Sequence, residues 1–445
     1  MAIRTAGKNG NWSDPTVWSG SRVPSSGDTA NLGGFSVTLD TPAIPATGSL
    51  NKITNDPTTG GALVYGTPQN ITINGDVENA KPDNGNGLGP VLNLVVNQTA
   101  VINGQVRQIA NTSTGQQTLT ISADTSSGGG NSLITVNATG GRPAMLQSGN
   151  QSSLTQGDFG NTAVFLGFGN SGPFQNNLVI NGDVLNTGIN ATAVEGAGSS
   201  TIINGNARNG SISDATVGAQ GAAVSFWSGQ AGGNNFSTMI VRGDAVNYAN
   251  SGYPFVNYLP YSGAPTIGVS NAEGQYFELG GNWDNEAPSD DVGALRGYFL
   301  NCIVVRGNVI GRHGAAIKDT NSSGLLILLG SAIGTTVANG TTPCQILCTN
   351  KIAFNASIMP GQIVIPSNSI LIPTTVELAG PLQFPRGASM NDPIWANFAA
   401  IQAAISSPVS GSSGGSNMAL QFPQGASMQD PLWNNFHAIQ AALDG

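Results

Sequence analysis

One short pattern recurs along this chain and restricts its fold more than any other feature: alternating apolar residues, then Asn or Arg, then Gly, a polar residue and an apolar one. It reads Ile71-Thr72-Ile73-Asn74-Gly75-Asp76-Val77, Val101-Ile102-Asn103-Gly104-Gln105-Val106 and Leu178-Val179-Ile180-Asn181-Gly182-Asp183-Val184. It returns as Thr201-Ile202-Ile203-Asn204-Gly205-Asn206-Ala207, Met239-Ile240-Val241-Arg242-Gly243-Asp244-Ala245 and Ile303-Val304-Val305-Arg306-Gly307-Asn308-Val309, with Phe277-Glu278-Leu279-Gly280-Gly281-Asn282-Trp283 as a degenerate copy. Apart from one long gap before Gly182, neighbouring copies lie 23 to 38 residues apart, a period that belongs to repeat architectures.

Each copy reads as a strand that bends at glycine and resumes, one corner of a coil whose alternate side chains point inward. A single coil cannot bury its apolar face, whereas stacked coils share one core and leave unpaired edges only at the two ends. The fold class expected is all-β, a right-handed parallel β-helix over residues 51–319, with Ile73, Val101, Ile180, Ile203, Val241 and Val305 in one stacked register. A chain of antiparallel sandwiches is the rival, because Asn-Gly is also a strong hairpin signal. Against it, the motif sits inside the strand pattern and recurs too far apart to pair hairpin strands.

Composition agrees with many short strands. Only 9% of the residues are Asp, Glu, Lys or Arg, against about 25% in ordinary soluble domains, yet 39% are apolar, so the chain is not of the charged, disordered kind. Glycine and asparagine, which tolerate positive φ, supply the turns. A net charge of -9 with 15 scattered basic residues points away from nucleic acid, and no stretch reaches the roughly 18 apolar residues of a membrane span. The opening Met-Ala-Ile-Arg-Thr-Ala-Gly-Lys has no apolar run behind it, so the expectation is synthesis in a cytoplasm without a secretory signal. Cys302, Cys344 and Cys348 are too few for a disulfide framework and lack the companions of a metal site; they read as buried apolar thiols, and no cofactor is expected.

The ends differ from the body. Residues 1–50 read as a cap, with Trp12 and Trp18 near the end of the stack, and 320–380 as a distal β-region in which the glycine corners thin out and Pro360, Pro366 and Pro373 shorten the strands. Residues 381–405 and 420–445 are near-identical modules joined by the Gly/Ser-rich linker 406–419, matching at 18 of 24 positions at a shift of 38. In each, Asp before Pro (Asp392-Pro393, Asp430-Pro431) supplies an N-cap and first-turn proline. Ile394, Phe398, Ile401 and Ile405, like Leu432, Phe436, Ile439 and Leu443, then follow at steps of four, three and four, an amphipathic helix after an extended Leu-Gln-Phe-Pro segment. A helix of about 13 residues is marginal alone in water, so its stripe must pack on something, and the flexible linker favours separate docking. The docking residues expected are Phe384, Trp395, Phe398 and Ile401 in the first module and Phe422, Trp433, Phe436 and Ile439 in the second.

The opening Gly10-Asn11-Trp12-Ser13-Asp14-Pro15-Thr16-Val17-Trp18, with Val23-Pro24-Ser25-Ser26-Gly27-Asp28 and the alternating Phe35-Ser36-Val37-Thr38-Leu39-Asp40, resembles that of β-helical surface proteins of bacteria and of tailed bacteriophages. With the body and the C-terminal modules, the chain resembles β-helical virion proteins of the tail-fibre, tailspike, head-fibre or decoration type. The resemblance implies a structural virion component assembled in the host cytoplasm, a homotrimer, with capsid or tail proteins as partners and a host surface glycan as a further one. Known tailspikes usually place the anchor before the β-helix. Here the anchor-like modules come last, which leaves head fibre or decoration open.

Tailspikes of this fold often cleave polysaccharide with paired carboxylates, and the densest acidic stretch here is Glu273, Glu278, Asp284, Glu286, Asp290 and Asp291, with Tyr276 and Trp283 available to stack on sugar. A solvated loop or a calcium site accounts for it as well. His313 and His437 have no catalytic context, and no nucleophile elbow, phosphate loop or zinc pattern is present. The expectation is no enzyme and no catalytic residue. A polysaccharide-degrading tailspike and a bacterial adhesin are the alternatives, and Arg242-Gly243-Asp244 reads as one more coil corner, parallel to Arg306-Gly307-Asn308.

Overall fold

The computed structural model describes residues 1–66, 70–81, 91–94, 98–111, 117–121, 132–151, 161–166, 176–197, 199–219, 221–227, 237–250, 253–258, 275–287, 295–296, 302–312, 317–318, 325–330, 332–334, 345–348, 353–354 and 363–365. Among them the chain is all-β apart from one 3-10 turn at Pro15–Val17. Its strands form three long sheets and one two-stranded sheet. Sheet I has 13 strands, from Ile3–Thr5 to Ala353–Phe354; sheet II has nine, from Gly10–Asn11 to Tyr253–Tyr258; sheet III has 12, from Ala43–Ile44 to Ile363–Ile365. The chain visits them in rotation, as in Asn176–Asn181 (III), Val184–Asn186 (I), Ala191–Ala197 (II), then Ser199–Ile203 (III), Ala207–Asn209 (I) and Ala222–Trp227 (II). Every pairing between these strands is parallel, for example Ile180 opposite Ile203 and Ile203 opposite Val241. This is the order of a β-helix-like solenoid, and it removes the antiparallel-sandwich alternative for the described residues.

The core consists of rows that run along the stack. In sheet III, Ile44, Ile73, Ile102, Val136, Ile180, Ile203, Val241, Leu279, Val305 and Leu328 follow one another in register, each 0 or 1% exposed. Each such burial stabilises by roughly 1.5–3 kcal/mol. Sheet I contributes Ile53, Val77, Val106, Met145, Val184, Ala207, Ala245, Trp283 and Val309. Size alternates across the interior: beyond the small Ala207 and Ala245, Trp283 meets Phe277 of sheet III edge to face, ring centroids 5.4 Å apart.

One expectation needs correction. Ile102, not Val101, stacks on Ile73; Val101 lies opposite Thr72 on the outward row, because the strand alternates and the register is counted back from Asn103-Gly104. The long gap before Gly182 holds a complete coil, Leu133–Asn137 in sheet III and Met145–Gln147 in sheet I. Its corner reads Asn137-Ala138 and is followed by an insertion through Gly140 and Gly141, so it escapes a search for Asn-Gly.

Glycine is required at the corners by stacking. A Cβ on Gly205 would sit 2.3 Å from the carbonyl oxygen of Gly182, and one on Gly104 2.3 Å from that of Gly75, backbone that cannot yield. At the N-terminal end Trp12 and Trp18 are buried, in edge contact at 4.8 Å, with Trp18 Nε1 donating to the Trp12 carbonyl at 2.9 Å. Asp14 caps the 3-10 turn between them by accepting from the Thr16 amide at 2.8 Å. Thr5, the last residue of the outermost strand of sheet I, and Gly7 just beyond it bond to Ser19 and Val17, so part of that edge is covered. In the distal region Leu325–Leu328, Gln345–Cys348 and Ile363–Ile365 extend sheet III, while Ala332–Gly334 and Ala353–Phe354 extend sheet I. Leu295–Arg296 and Ile317–Lys318 pair with each other apart from sheet II. The strand expected at Ile370-Leu371-Ile372 lies outside the described residues.

Gly205→Val is expected to lower unfolding stability by about 1–3 kcal/mol or more, through overpacking against Gly182. Chemical denaturation of the two proteins measures the difference.

Candidate assembly surfaces and the polar ladders

Three columns of polar side chains run along the stack. The first lies at the corner between sheets III and I: Asn103 Nδ2 donates to Asn74 Oδ1 at 2.8 Å, Asn137 to Asn103 at 2.8 Å, Asn181 to Asn137 at 2.7 Å and Asn204 to Asn181 at 2.8 Å. Arg242 Nε ends the run on Asn204 Oδ1 at 3.1 Å. The second joins side chain to backbone one step on. Asp76, Asp183, Asn206, Asp244 and Asn282 each accept from the amide of the matching residue in the next coil, at 2.7–2.9 Å. Arg242-Gly243-Asp244 is thereby engaged in both columns, as a coil corner.

The third column is inside. Asn79, Gln108, Gln147, Asn186, Asn209, Asn247 and Asn285 occupy one row of sheet I and are at most 2% exposed. Asn55 joins it by donating to Asn79 at 2.6 Å. Asn247 shows how a buried amide is tolerated. Its Nδ2 donates to Asn285 Oδ1 at 2.8 Å and to the Ala249 carbonyl at 3.0 Å, while its Oδ1 accepts from Asn209 Nδ2 at 2.8 Å and the Ala249 amide at 3.2 Å. Both donors and both acceptor sites are filled, the condition for burying an amide without penalty. The row was missed in the sequence because the pattern was cut at the apolar residue. The signal is two positions further on, in Val184-Leu185-Asn186, Ala207-Arg208-Asn209, Ala245-Val246-Asn247 and Trp283-Asp284-Asn285.

Charge is distributed unevenly. On and beside the outer face of sheet I, Glu78 is paired with Lys52 at 2.5 Å and with Arg107; Asp76 holds Arg142 by two bonds of 2.7 and 2.8 Å; Arg208 approaches Asp183 at 3.6 Å. Burial, with Arg107 adding to it, pulls the Lys52 ammonium below its ordinary value. The acidic stretch dissolves into the same scheme. Asp284 takes Arg312 at 2.5 and 3.0 Å, Glu286 lies 3.4 Å from Arg312, and Glu278, on sheet III, takes Arg306 at 2.6 Å. The bonds to Asp284 raise the Arg312 guanidinium above its usual value. Glu278 and Asp284 thus belong to different sheets, each with its own cation, whereas Glu273, Asp290 and Asp291 lie outside the described residues. So do all the expected docking residues, Phe384, Trp395, Phe398, Ile401, Phe422, Trp433, Phe436 and Ile439, together with both histidines. Sheet III presents no charge on its strands from Asn70–Asn74 through Ser237–Val241.

Among the described residues no helix is long and apolar enough to cross a membrane, and no three His, Cys, Asp or Glu side chains are grouped to hold a metal. No family model, curated protein or solved structure matches the chain.

Asn247→Leu keeps the volume but strands its four partners, so a loss above about 2 kcal/mol is expected, whereas Asn181→Ala at the exposed corner should cost about 1 kcal/mol or less. Equilibrium urea unfolding of both variants tests the contrast; equal losses would contradict it.

Proposed function

We propose that the protein is a structural component of a tailed-bacteriophage particle. In this reading it is an elongated fibre, spike or decoration protein whose body is a right-handed parallel β-helix with a small distal β-region, and whose two short C-terminal helical modules attach it to the assembly. The observation that carries this reading is the continuity of the sheets: thirteen parallel strands at about 4.8 Å per step make a body roughly 60 Å long. Such a body suits a rigid spacer. The right hand follows from the strong preference of parallel crossovers for that hand. The resemblance of the opening residues supports the virion class, assembly in the host cytoplasm and a homotrimer with capsid or tail proteins as partners. Duplication of the module supports attachment through paired weak contacts, since two copies on one tether raise avidity without new contacts.

The enzyme alternative has little support in the geometry. Its best carboxylates, Glu278 and Asp284, lie on different sheets, and each is bonded to its own arginine. Host polysaccharide incubated with the purified protein should keep its size distribution. Depolymerisation that vanishes in Glu278→Ala or Asp284→Ala would reverse this reading.

Deletion of residues 382–445 should abolish incorporation into particles, and deletion of 420–445 should reduce it. Undiminished occupancy of the truncated chain, measured by quantitative gel analysis of purified particles, would show that the modules are not the anchor.

A further inference from the structure

Six Asn-Gly pairs lie among the described residues: Asn9-Gly10, Asn74-Gly75, Asn103-Gly104, Asn181-Gly182, Asn204-Gly205 and Asn209-Gly210. Asparagine before glycine is chemically labile, because the glycine nitrogen, unhindered by a Cβ on its own residue, can attack the side-chain amide carbon. In a folded chain three conditions govern the attack: exposure of the pair, an attacking N–H that is not already bonded, and a donor for the charge that develops on the amide oxygen. Three pairs fail at once. Asn209 is buried and the Gly210 amide donates to the Asn186 carbonyl at 2.8 Å, while the buried Gly75 and Gly104 donate to the Asn103 and Asn137 carbonyls, each at 3.1 Å. Gly10 lies inside a strand opposite Val37, and the Asn9 side-chain oxygen is taken by the neutral Ser36 amide at 2.9 Å. Asn181 and Asn204 are exposed, and neither Gly182 nor Gly205 has a hydrogen-bond partner for its amide among the described residues. The third condition separates these two. Asn181 Oδ1 accepts only from the neutral Asn204 Nδ2 at 2.8 Å, whereas Asn204 Oδ1 accepts from the Arg242 guanidinium at 3.1 Å. Arg107, Arg142, Arg306 and Arg312 each hold a carboxylate; Arg242 is exposed and meets none within ion-pair distance among the described residues.

We propose that the Asn204-Gly205 corner is a self-modification site, at which the chain deamidates Asn204 with Arg242 promoting the step. The Gly205 nitrogen gives its proton to solvent base and forms a bond to Asn204 Cγ. The bond from Cγ to Nδ2 breaks, and that nitrogen takes up a proton and leaves as ammonia, which closes a succinimide ring. Water then adds to one of the two ring carbonyls and opens the ring, giving an aspartyl or an isoaspartyl linkage. The net change is one amide and one water converted to one carboxyl group and one ammonia, with no oxidant, reductant or cofactor consumed. Arg242 Nε–H already sits on the oxygen that becomes negative while the attacked carbon is tetrahedral, the position from which a donor favours the transition state. The same cation then gains the carboxylate partner that it lacks, a charge-assisted bond in place of a weaker one. The isoaspartyl product carries one extra methylene in its backbone. It arises where the Gly243 amide donates to the Gly205 carbonyl at 3.0 Å, so the register between these two coils is disturbed at the corner.

The test follows purified full-length protein, held folded at mildly alkaline pH over days, by digestion and peptide mapping in a mass spectrometer, with enzymatic methylation marking the isoaspartyl product. Asn204 should convert first, Asn181 several-fold more slowly, and Asn74, Asn103 and Asn209 should stay intact over the same period. Arg242→Ala should slow conversion of Asn204 by about tenfold, the worth of one hydrogen bond from a charged group, and leave Asn181 at its wild-type rate. Arg242→Lys, which keeps the cation, should recover most of the loss. In urea-unfolded wild type the six pairs should react at similar rates, because the ranking belongs to the corners and not to the dipeptide. An intact Asn204, another of the six pairs matching it in the folded protein, or a ranking that persists in urea would each overturn the inference, and these readings need no variant. A rate at Asn204 that is unchanged or raised in folded Arg242→Ala would overturn it as well.

Discussion

Parallel stacking in register is the constraint on which the rest of this structure depends. Every residue of a coil lies over its counterpart in the next, so a side chain is acceptable only if it packs well on a near copy of itself. Aliphatic residues meet this condition by shape, as in the row from Ile44 to Leu328. Amides meet it by chemistry, because each carries donors and an acceptor and can bond to an identical neighbour on both sides. A carboxylate cannot, and Asp183 is matched instead by the side-chain amide and backbone N–H of Asn206 one step on, with Arg208 close by. The low charge content of the chain is thus a consequence of its architecture.

The same constraint separates the faces. Several carboxylates meet a cation that lies a coil or two away. Most such positions are on sheet I: Glu78 between Lys52 and Arg107, Asp76 with Arg142, Asp284 with Arg312. Sheet III carries no charge on its strands from Asn70–Asn74 through Ser237–Val241.

How much of this was legible in the sequence depended on which residues repeat. The sheet III strands and their glycine corners were readable because stacked backbones leave Gly205 and Gly104 no room for a Cβ, and that demand is written in residue identity. The coil at Leu133–Asn137 was not, since Ala138 replaces the corner glycine and the chain makes a longer excursion before Met145. Val101 was assigned to the wrong face because its copy begins mid-strand, and a one-residue slip exchanges inside for outside. The buried amides were overlooked because a polar residue inside an apolar pattern reads as the end of a strand; only the register shows Asn186, Asn209, Asn247 and Asn285 meeting one another. The acidic stretch looked like one cluster in the sequence, yet the corner between Leu279 and Trp283 sends Glu278 and Asp284 to different sheets. The docking modules were read from helical periodicity alone and lie beyond the described residues.

The central claim, that residues far apart in sequence are brought together by a fixed step per coil, is tested most directly by a distance measured between two sites on one row. Leu146, Leu185, Arg208, Val246, Asp284 and Ile310 follow one another on the outward side of sheet I. Spin labels at Leu146 and Ile310 are five strand steps apart, which at about 4.8 Å per step places them near 24 Å, with a few ångströms added by the label arms. Double electron–electron resonance on the doubly labelled protein should give one narrow distribution near that distance. A broad distribution, or one centred beyond about 40 Å, which no five-step stack can produce, would contradict the account.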